Sequence, residues 1–535
     1  MLKIPNYVYG PKDITIPLDV NFGQFMLGRM SLYKDRIAQT NGATGESFTY
    51  SEIVQQSMKF AISLTRLGVR KGETIALFSE NRKEYLSAFI GTACVGAICT
   101  TISSMYAEEE IKHVMHISKP KYLIVSPKMY EAHEATLKLI DSIETTILFG
   151  DDAKKPAPYY FNDLVASVGS DIDVENFIAA DVDVHDVLFI LYSSGTSGMP
   201  KGVTLTHLNV MAAFCMPAIL NPELSSLNIR EWHHSSGVLA VSAGMAFGRS
   251  GLYLENFELE LFLKTIEKYK VAQVVVAPTV LVAMCKSDAK YDLSSIRFIY
   301  SSVTPLHKET ISAAYKKFPN LKAIHQGYGS TETTTVIITY TYKHADIVKS
   351  GSVGLVAPNI IVKVVDIKDQ RPLGPNQEGE IYVKGPLLMK GYMGRARSDD
   401  FDDEGFYRTG DVGYYDEDRH FYICDRIKEF IKCHGEQVPP AEVEAVLLLH
   451  EAVREAGVIG LKDPDAGEIP LAFVSLQPGK EATEEELKEF VAKRLSNPKH
   501  LRGGVCFVIE IPKNPSGKIL RQELRKLAKS GKSKL

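Results

Sequence analysis

Short apolar runs alternate with helical patterns through the first 180 residues. TIALF (74–78), YLIVS (122–126) and TILFG (146–150) read as strands, and EEEIKHVMHIS between them spaces its apolar residues as a helix does. The most apolar region, 86–100, is interrupted by Gly, Thr and Ala. It falls short of a membrane span and reads as a buried helix followed by a strand. Such alternation predicts a mainly parallel sheet with helices on its faces. The texture resumes with VLFILY (187–192) and VAQVVVAP (271–278), so one large α/β region in two sheet-bearing lobes covers roughly residues 1–350.

Farther along, SVGLVAPNIIVKVVD and GEIYVKG read as strands around the turn-rich PLGPNQEG, and GYYDEDRHFYICDR reads as a hairpin. They predict a smaller β subdomain before Asp425. Pro439 and Pro440 then open a helix over AEVEAVLLLH, with Val443, Val446 and Leu447 as its apolar stripe. VIGLKD, IPLAFVSLQP and VCFVIEIP read as strands. Thr483 and Glu486 form a capping box before EELKEFVAKRL, whose buried face is Leu487, Phe490 and Val491. The expected organisation is a body over 1–425, a compact α+β unit over 426–532, and a terminal tripeptide 533–535.

The 535 residues are 45% hydrophobic and 24% charged, with 39 glycines and 25 prolines. This excludes a disordered or fibrous chain. Lys and Arg number 61 against 65 Asp and Glu, so no basic excess advertises a nucleic-acid partner. Seven scattered cysteines with no C-x-x-C pair suit a reducing compartment. The start MLKIPNYVYGPKD lacks a signal peptide's apolar run. Ser533-Lys534-Leu535 matches the C-terminal peroxisomal address, so a peroxisomal import receptor is an expected partner and the peroxisome the expected location.

The sharpest chemical signal is Ser193-Ser194-Gly195-Thr196-Ser197-Gly198-Met199-Pro200-Lys201-Gly202, directly after the strand VLFILY. Its glycines expose amide protons, four hydroxyls add donors, and Lys201 adds a mobile positive charge, a set suited to wrapping a polyphosphate. It is neither G-x-x-x-x-G-K-[ST] nor the dinucleotide G-x-G-x-x-G.

This segment resembles the phosphate loop of the adenylate-forming enzymes: acyl- and aryl-CoA ligases, peptide-synthetase adenylation domains and beetle luciferases. The resemblance runs essentially end to end and is nearest the insect branch of luciferases and acyl-CoA ligases, with 4-coumarate–CoA ligases as near cousins. It implies a large multi-subdomain α/β body with a small mobile α+β domain. Gln326-Gly327-Tyr328-Gly329-Ser330-Thr331-Glu332-Thr333 is similar to the second signature, where Tyr328 stacks on adenine, Gly329 and Thr331 line the α-phosphate turn, and Glu332 holds Mg²⁺. Tyr407-Arg408-Thr409-Gly410-Asp411 resembles the ribose segment, with Asp411 accepting from the ribose hydroxyls and Arg426 adding a nucleotide contact. Lys428 matches the position about which the small domain turns. Lys518, in Pro515-Ser516-Gly517-Lys518, matches the adenylation lysine, and Lys432 the lysine presented for the second half-reaction. His234, in Trp232-His233-His234-Ser235-Ser236-Gly237, matches a residue lining the acyl pocket. Two adjacent histidines do not make a metal centre without further ligands.

The chain departs from the family pattern at several points. Lys432-Cys433-His434-Gly435 stands where Lys-Tyr-Lys-Gly is common. Ser236 replaces the luciferase phenylalanine, and Ser301-Ser302-Val303-Thr304-Pro305-Leu306 replaces Ser-Gly-Gly-Ala-Pro-Leu. Thr335 and Val336 replace a commonly small pair, and NPELSSLNIRE is shorter than the matching stretch of luciferases, so Arg230 has no assured counterpart. The resemblance implies a ligase that uses ATP, Mg²⁺ and CoA on a small carboxylic acid, fatty or aromatic. The alternative it implies is a luciferase that oxidises luciferyl-adenylate with O₂ in place of CoA.

Overall fold

The structure is a computed structural model that describes residues 4–530, apart from 13, 151–158, 170–171, 173–174, 194–198, 303–305, 307, 434–435 and 514–517. Two large α/β sheets form the centre of the body. The eight-stranded sheet runs Gly391–Tyr392, Lys201–Thr206, Val187–Ser193, Ile98–Ile102, Thr74–Phe78, Tyr122–Val125, Thr145–Leu148, Tyr159–Tyr160. From Val187–Ser193 to Tyr159–Tyr160 all its pairings are parallel. Every residue of Thr74–Phe78 is buried, as expected for a strand covered on both faces. The apolar stretch 86–100 is the wholly buried helix Tyr85–Cys94 followed by Ile98–Ile102. No helix among the described residues is long and apolar enough to cross a membrane.

The nine-stranded sheet runs Leu355–Val356, Val336–Thr339, Ala323–Gly329, Phe298–Ser301, Gln273–Val276, Ser226–Asn228, Gly251–Tyr253, Ile37–Asn41, Ser47–Thr49. Its six central strands, from Ala323–Gly329 to Ile37–Asn41, are parallel. The carboxyl ends of parallel strands are where open α/β sheets bind ligands. Ser193, Arg230, Ser302 and Tyr328 all lie at or just beyond such ends.

A third, antiparallel sheet joins Tyr7–Tyr9, Ile361–Val365, Gly379–Lys384, Tyr407–Tyr415 and Phe421–Arg426. The expected single strand over SVGLVAPNIIVKVVD is two strands in two different sheets. Pro358 removes a donor and Asn359 turns through φ 58°, so the chain leaves one sheet and enters the other. The edge strand Tyr7–Tyr9 was absent from the pattern reading because three residues carry no period; only pairing with Ile361–Lys363 makes them a strand.

The chain from Ile431 onward builds its own sheet from Glu436–Val438, Ile431–Cys433, Gly467–Leu476, Val453–Asp463 and Val505–Phe507. Helices Pro440–Leu447 and Glu484–Ala492 sit with one apolar cluster, and Arg521–Ser530 with another. Successive residues Val458 and Ile459 enter opposite clusters, the period-two alternation of a two-faced sheet. Pro440 opens the first helix, and Thr483 and Glu486 make the expected capping box on the second. Phe490 is half-buried rather than buried: it packs edge-on to His450, and the Arg494 guanidinium covers its ring at 3.6 Å. The VCFVIEIP strand is confined to Val505–Phe507. The fold is therefore a large α/β body with several sheets and a smaller α+β domain.

Candidate active site

The hairpin of the third sheet sets Asp411 directly opposite Arg426, so both side chains share one face. Arg426 Nε donates to Asp411 Oδ1 at 2.7 Å, and the Tyr328 hydroxyl donates to Asp411 Oδ2 at 2.7 Å. Asp411 is 7% exposed. Burial, then the Asp411 charge, hold the Tyr328 phenol well above its ordinary range, so it remains a donor. The Asp411 charge likewise raises the Arg426 guanidinium. Each carboxylate oxygen keeps lone-pair capacity for further donors. Tyr328, Asp411 and Arg426 thus form one bonded group, drawn from two sheets.

Tyr328 ends the strand Ala323–Gly329, and the chain turns through the 3₁₀ segment Thr331–Thr333. A Cβ on Gly329 would stand 2.3 Å from the Thr335 carbonyl oxygen, so only glycine fits. Thr334 adopts φ 62°, a costly conformation for a β-branched residue. Its hydroxyl bond to the Leu387 carbonyl (2.6 Å) and its N–H bond to the Thr331 carbonyl (3.0 Å) hold it there.

The turn aims Glu332 inward, 8% exposed, where Oε1 accepts from the Tyr392 hydroxyl at 2.8 Å. No lysine or arginine forms an ion pair with it among the described residues. A buried carboxylate held only by a neutral phenol lacks a counter-charge, and a hard divalent cation would supply one. Glu332 therefore fits Mg²⁺. Lys201, opposite Ser193 in the register of its hairpin, places Nζ 5.0 Å over the Tyr392 ring. Tyr392 links Lys201 to Glu332, and the sequence reading missed it. Its only signal is a lone tyrosine between glycines in GYMG. It reaches the site because Gly391–Tyr392 is the edge strand on Lys201–Thr206. Ser194, Gly195, Thr196, Ser197 and Gly198 lie outside the described residues, as do Val303, Thr304, Pro305 and His434.

From the smaller domain, Lys518 enters the field of the same group. Burial first, then the Arg426 charge, lower its ammonium against the opposing charges of Asp411 and Glu429, to about 8 in all. Lys432 lies elsewhere: it is exposed on the strand Ile431–Cys433, and its backbone N–H bonds Glu468. The two lysines are thus not brought together. Lys428 sits exposed in the 3₁₀ turn Ile427–Glu429, between the third sheet and the smaller domain.

His234 precedes the helix Ser235–Ala246. Burial, then the Arg230 charge, depress its imidazole to about 4, so the ring is neutral at pH 7, and its Nε2 is buried without a partner. His233 packs beside it at 4.1 Å between ring centroids. The structure adds Glu231 to this pair, with one donor atom from each of the three within 4.8 Å of the others.

An AMP-binding enzyme model matches residues 29–393, more than half of the chain, and the C-terminal domain model of the same enzymes matches 442–518. The chain belongs to the AMP-binding, adenylate-forming family. The luciferin 4-monooxygenase of Nipponoluciola cruciata is 37% identical to it, over 99% of this chain and 98% of its own. The 4-coumarate–CoA ligase 2 of Petroselinum crispum is also 37% identical, over 97% and 96%. Among solved structures, the o-succinylbenzoate–CoA synthetase of Bacillus subtilis with ATP and magnesium ion aligns with a TM-score of 0.78 and 27% identity, covering 94% of this chain and 99% of its own. This member of the AMP-binding family is a catalytic, ATP-dependent enzyme of the acyl-adenylate-forming type.

Proposed function

We propose that this chain joins a small carboxylic acid to CoA in two steps. The observation that carries this reading is the placement of Lys518, from the smaller domain, in the field of the Asp411–Arg426–Tyr328 group of the body. In the first step a carboxylate oxygen attacks the α-phosphorus of ATP, the bond to the β-phosphate oxygen breaks, and pyrophosphate leaves with the electron pair. Asp411 and Arg426 orient the nucleotide, and the loop 193–202 with Lys201 holds the phosphates. Lys518 stabilises charge on the attacking and transferring oxygens. Mg²⁺, when bound at Glu332, neutralises phosphate charge. In the second step the CoA sulfur attacks the acyl carbon, AMP leaves with the carbon–oxygen bonding pair, and the thiol proton passes to solvent. The unit 426–532 turns about Lys428 between the steps, withdrawing Lys518 and presenting Lys432.

A second reading, light-emitting oxidation of an acyl-adenylate by O₂, is favoured by the 37% identity to a luciferin 4-monooxygenase. Ser236 weakens it, since a small polar side chain offers no aromatic surface to a flat ligand. A panel of fatty and aromatic acids, luciferin among them, followed in parallel for AMP, acyl-CoA and light decides between the two. The ligase account expects AMP and thioester in equal amounts without light; AMP with light and no thioester would overturn it.

The tail Ser533-Lys534-Leu535, outside the described residues, supports delivery to peroxisomes through the import receptor. Deleting Leu535 from a fluorescent fusion is expected to leave it cytosolic. Punctate import of the truncated chain in cells without native enzyme would refute that assignment.

A further inference from the structure

Half-buried arginines elsewhere among the described residues are matched to acceptors. Arg82 meets Glu84 at 2.8 Å, Arg426 meets Asp411 at 2.7 Å and Arg521 meets Glu444 at 2.6 Å. Arg249 donates to the Ala240 carbonyl within the helix Ser235–Ala246. Arg230 differs. It is 8% exposed, and its guanidinium makes one long hydrogen bond among the described residues, 3.4 Å from Nη2 to Ser302 Oγ. Its sequence neighbour Glu231 turns its carboxylate to His233 instead, at 3.4 Å. Burial pulls the Arg230 guanidinium down to about 10, which still leaves it charged at pH 7. The Glu231 charge offsets that only in part and from beyond ion-pair distance. A buried charge whose donors are largely unfilled costs several kcal/mol in general, so the guanidinium is suited to receive an anion.

Position gives the anion its identity. Arg230 follows the strand Ser226–Asn228, three strands along the nine-stranded sheet from Ala323–Gly329, which carries Tyr328. Three strand spacings are roughly 14 Å. The nucleotide group and Lys518 therefore lie at one end of the carboxyl edge, and Arg230 and His234 enter from the other. The Arg230 backbone is pinned on both sides: its N–H donates to Asn228 Oδ1 at 3.0 Å, and its carbonyl accepts from Asn81 at 3.1 Å. The guanidinium also opposes a cation on the neighbouring Glu231–His233–His234 donors, whereas the neutral His234 Nε2 suits a hydrogen bond with an anionic ligand.

We propose that Arg230 is the specificity determinant of the acid pocket and selects acids bearing a second carboxylate over acids that end in hydrocarbon. The inference rests on the ligase reading and narrows it from fatty or aromatic acids in general to dicarboxylic ones. Arg230 receives the carboxylate that does not react, while Lys518 serves the one that does.

The test compares kcat/KM for AMP release on matched pairs: adipate with hexanoate, and 4-carboxycinnamate with 4-methylcinnamate. The parent chain is expected to favour the diacid at least about 30-fold. Arg230→Met is expected to lower kcat/KM for the diacid about 100-fold and to change the methyl-ended acid less than about threefold, with Arg230→Lys intermediate. A parent chain that uses the methyl-ended acid equally well overturns the inference with no variant needed, and so does an equal loss on both acids in Arg230→Met. If no acid of any kind releases AMP, the ligase reading itself has failed, and this inference with it.

Discussion

Lys518→Ala is expected to slow acyl-adenylate formation by about 10³-fold, the scale seen when one donor to a developing negative charge is removed. This lysine is half-buried, feels the charges of Arg426 and Asp411, and is lowered to about 8. In the proposed role it stabilises negative charge, so only its protonated form is competent. The kcat/KM for adenylation should hold up to pH 8 and fall above it as the ammonium loses its proton. Lys518→Arg keeps the charge at higher pH and should move that limb upward. Thioester formation from supplied acyl-adenylate should be slowed far less in Lys518→Ala. Lys432→Ala should show the opposite division, because Lys432 is exposed on the strand Ile431–Cys433 and makes no contact with the Tyr328–Asp411–Arg426 group among the described residues. Stopped-flow measurement of the two half-reactions separately checks this. Equal losses in both steps for both variants would refute the division of labour.

Asp411→Asn is the second large effect. The carboxylate engages Arg426 and Tyr328 at once, at 2.7 Å each. The amide removes the negative charge without changing shape, leaving Arg426 without its counter-charge and Tyr328 with a weaker acceptor. We expect KM for ATP in pyrophosphate exchange to rise on the order of 100-fold, about 3 kcal/mol. Tyr328→Phe, which deletes one bond and keeps the ring, should raise it only about fivefold. An unchanged KM for ATP in Asp411→Asn would remove Asp411 from the nucleotide site.

The sequence was most readable where local pattern and final burial agree. Thr74–Phe78 is buried throughout and apolar from Ile75 on because both faces of its sheet are covered, and Thr483 with Glu486 caps a helix through contacts three residues apart. The turn Ser330-Thr331-Glu332 was legible because Gln326–Thr333 as a whole resembles the family's second signature and accompanies the loop 193–202. Tyr392 was not. Its place depends on pairing with Val203, 189 positions earlier in the chain, and a lone tyrosine carries no sign of that partner. Arg230 was visible as a residue but not as a buried, unmatched charge, since burial there comes from elements scattered from Asn81 to Ser302. The break at Pro358-Asn359 was written in the chain, yet the apolar residues on both sides read as one strand until the sheets were known.

The central claim is that the Tyr328–Asp411–Arg426 group, with the Lys518 charge acting on it, activates a carboxylate with ATP. Acid-dependent exchange of labelled pyrophosphate into ATP tests it without CoA, O₂ or light. The account predicts exchange that requires both Mg²⁺ and a carboxylic acid and that falls by about 10³-fold in Lys518→Ala. Binding of ATP with no exchange for any acid, diacids included, would contradict it.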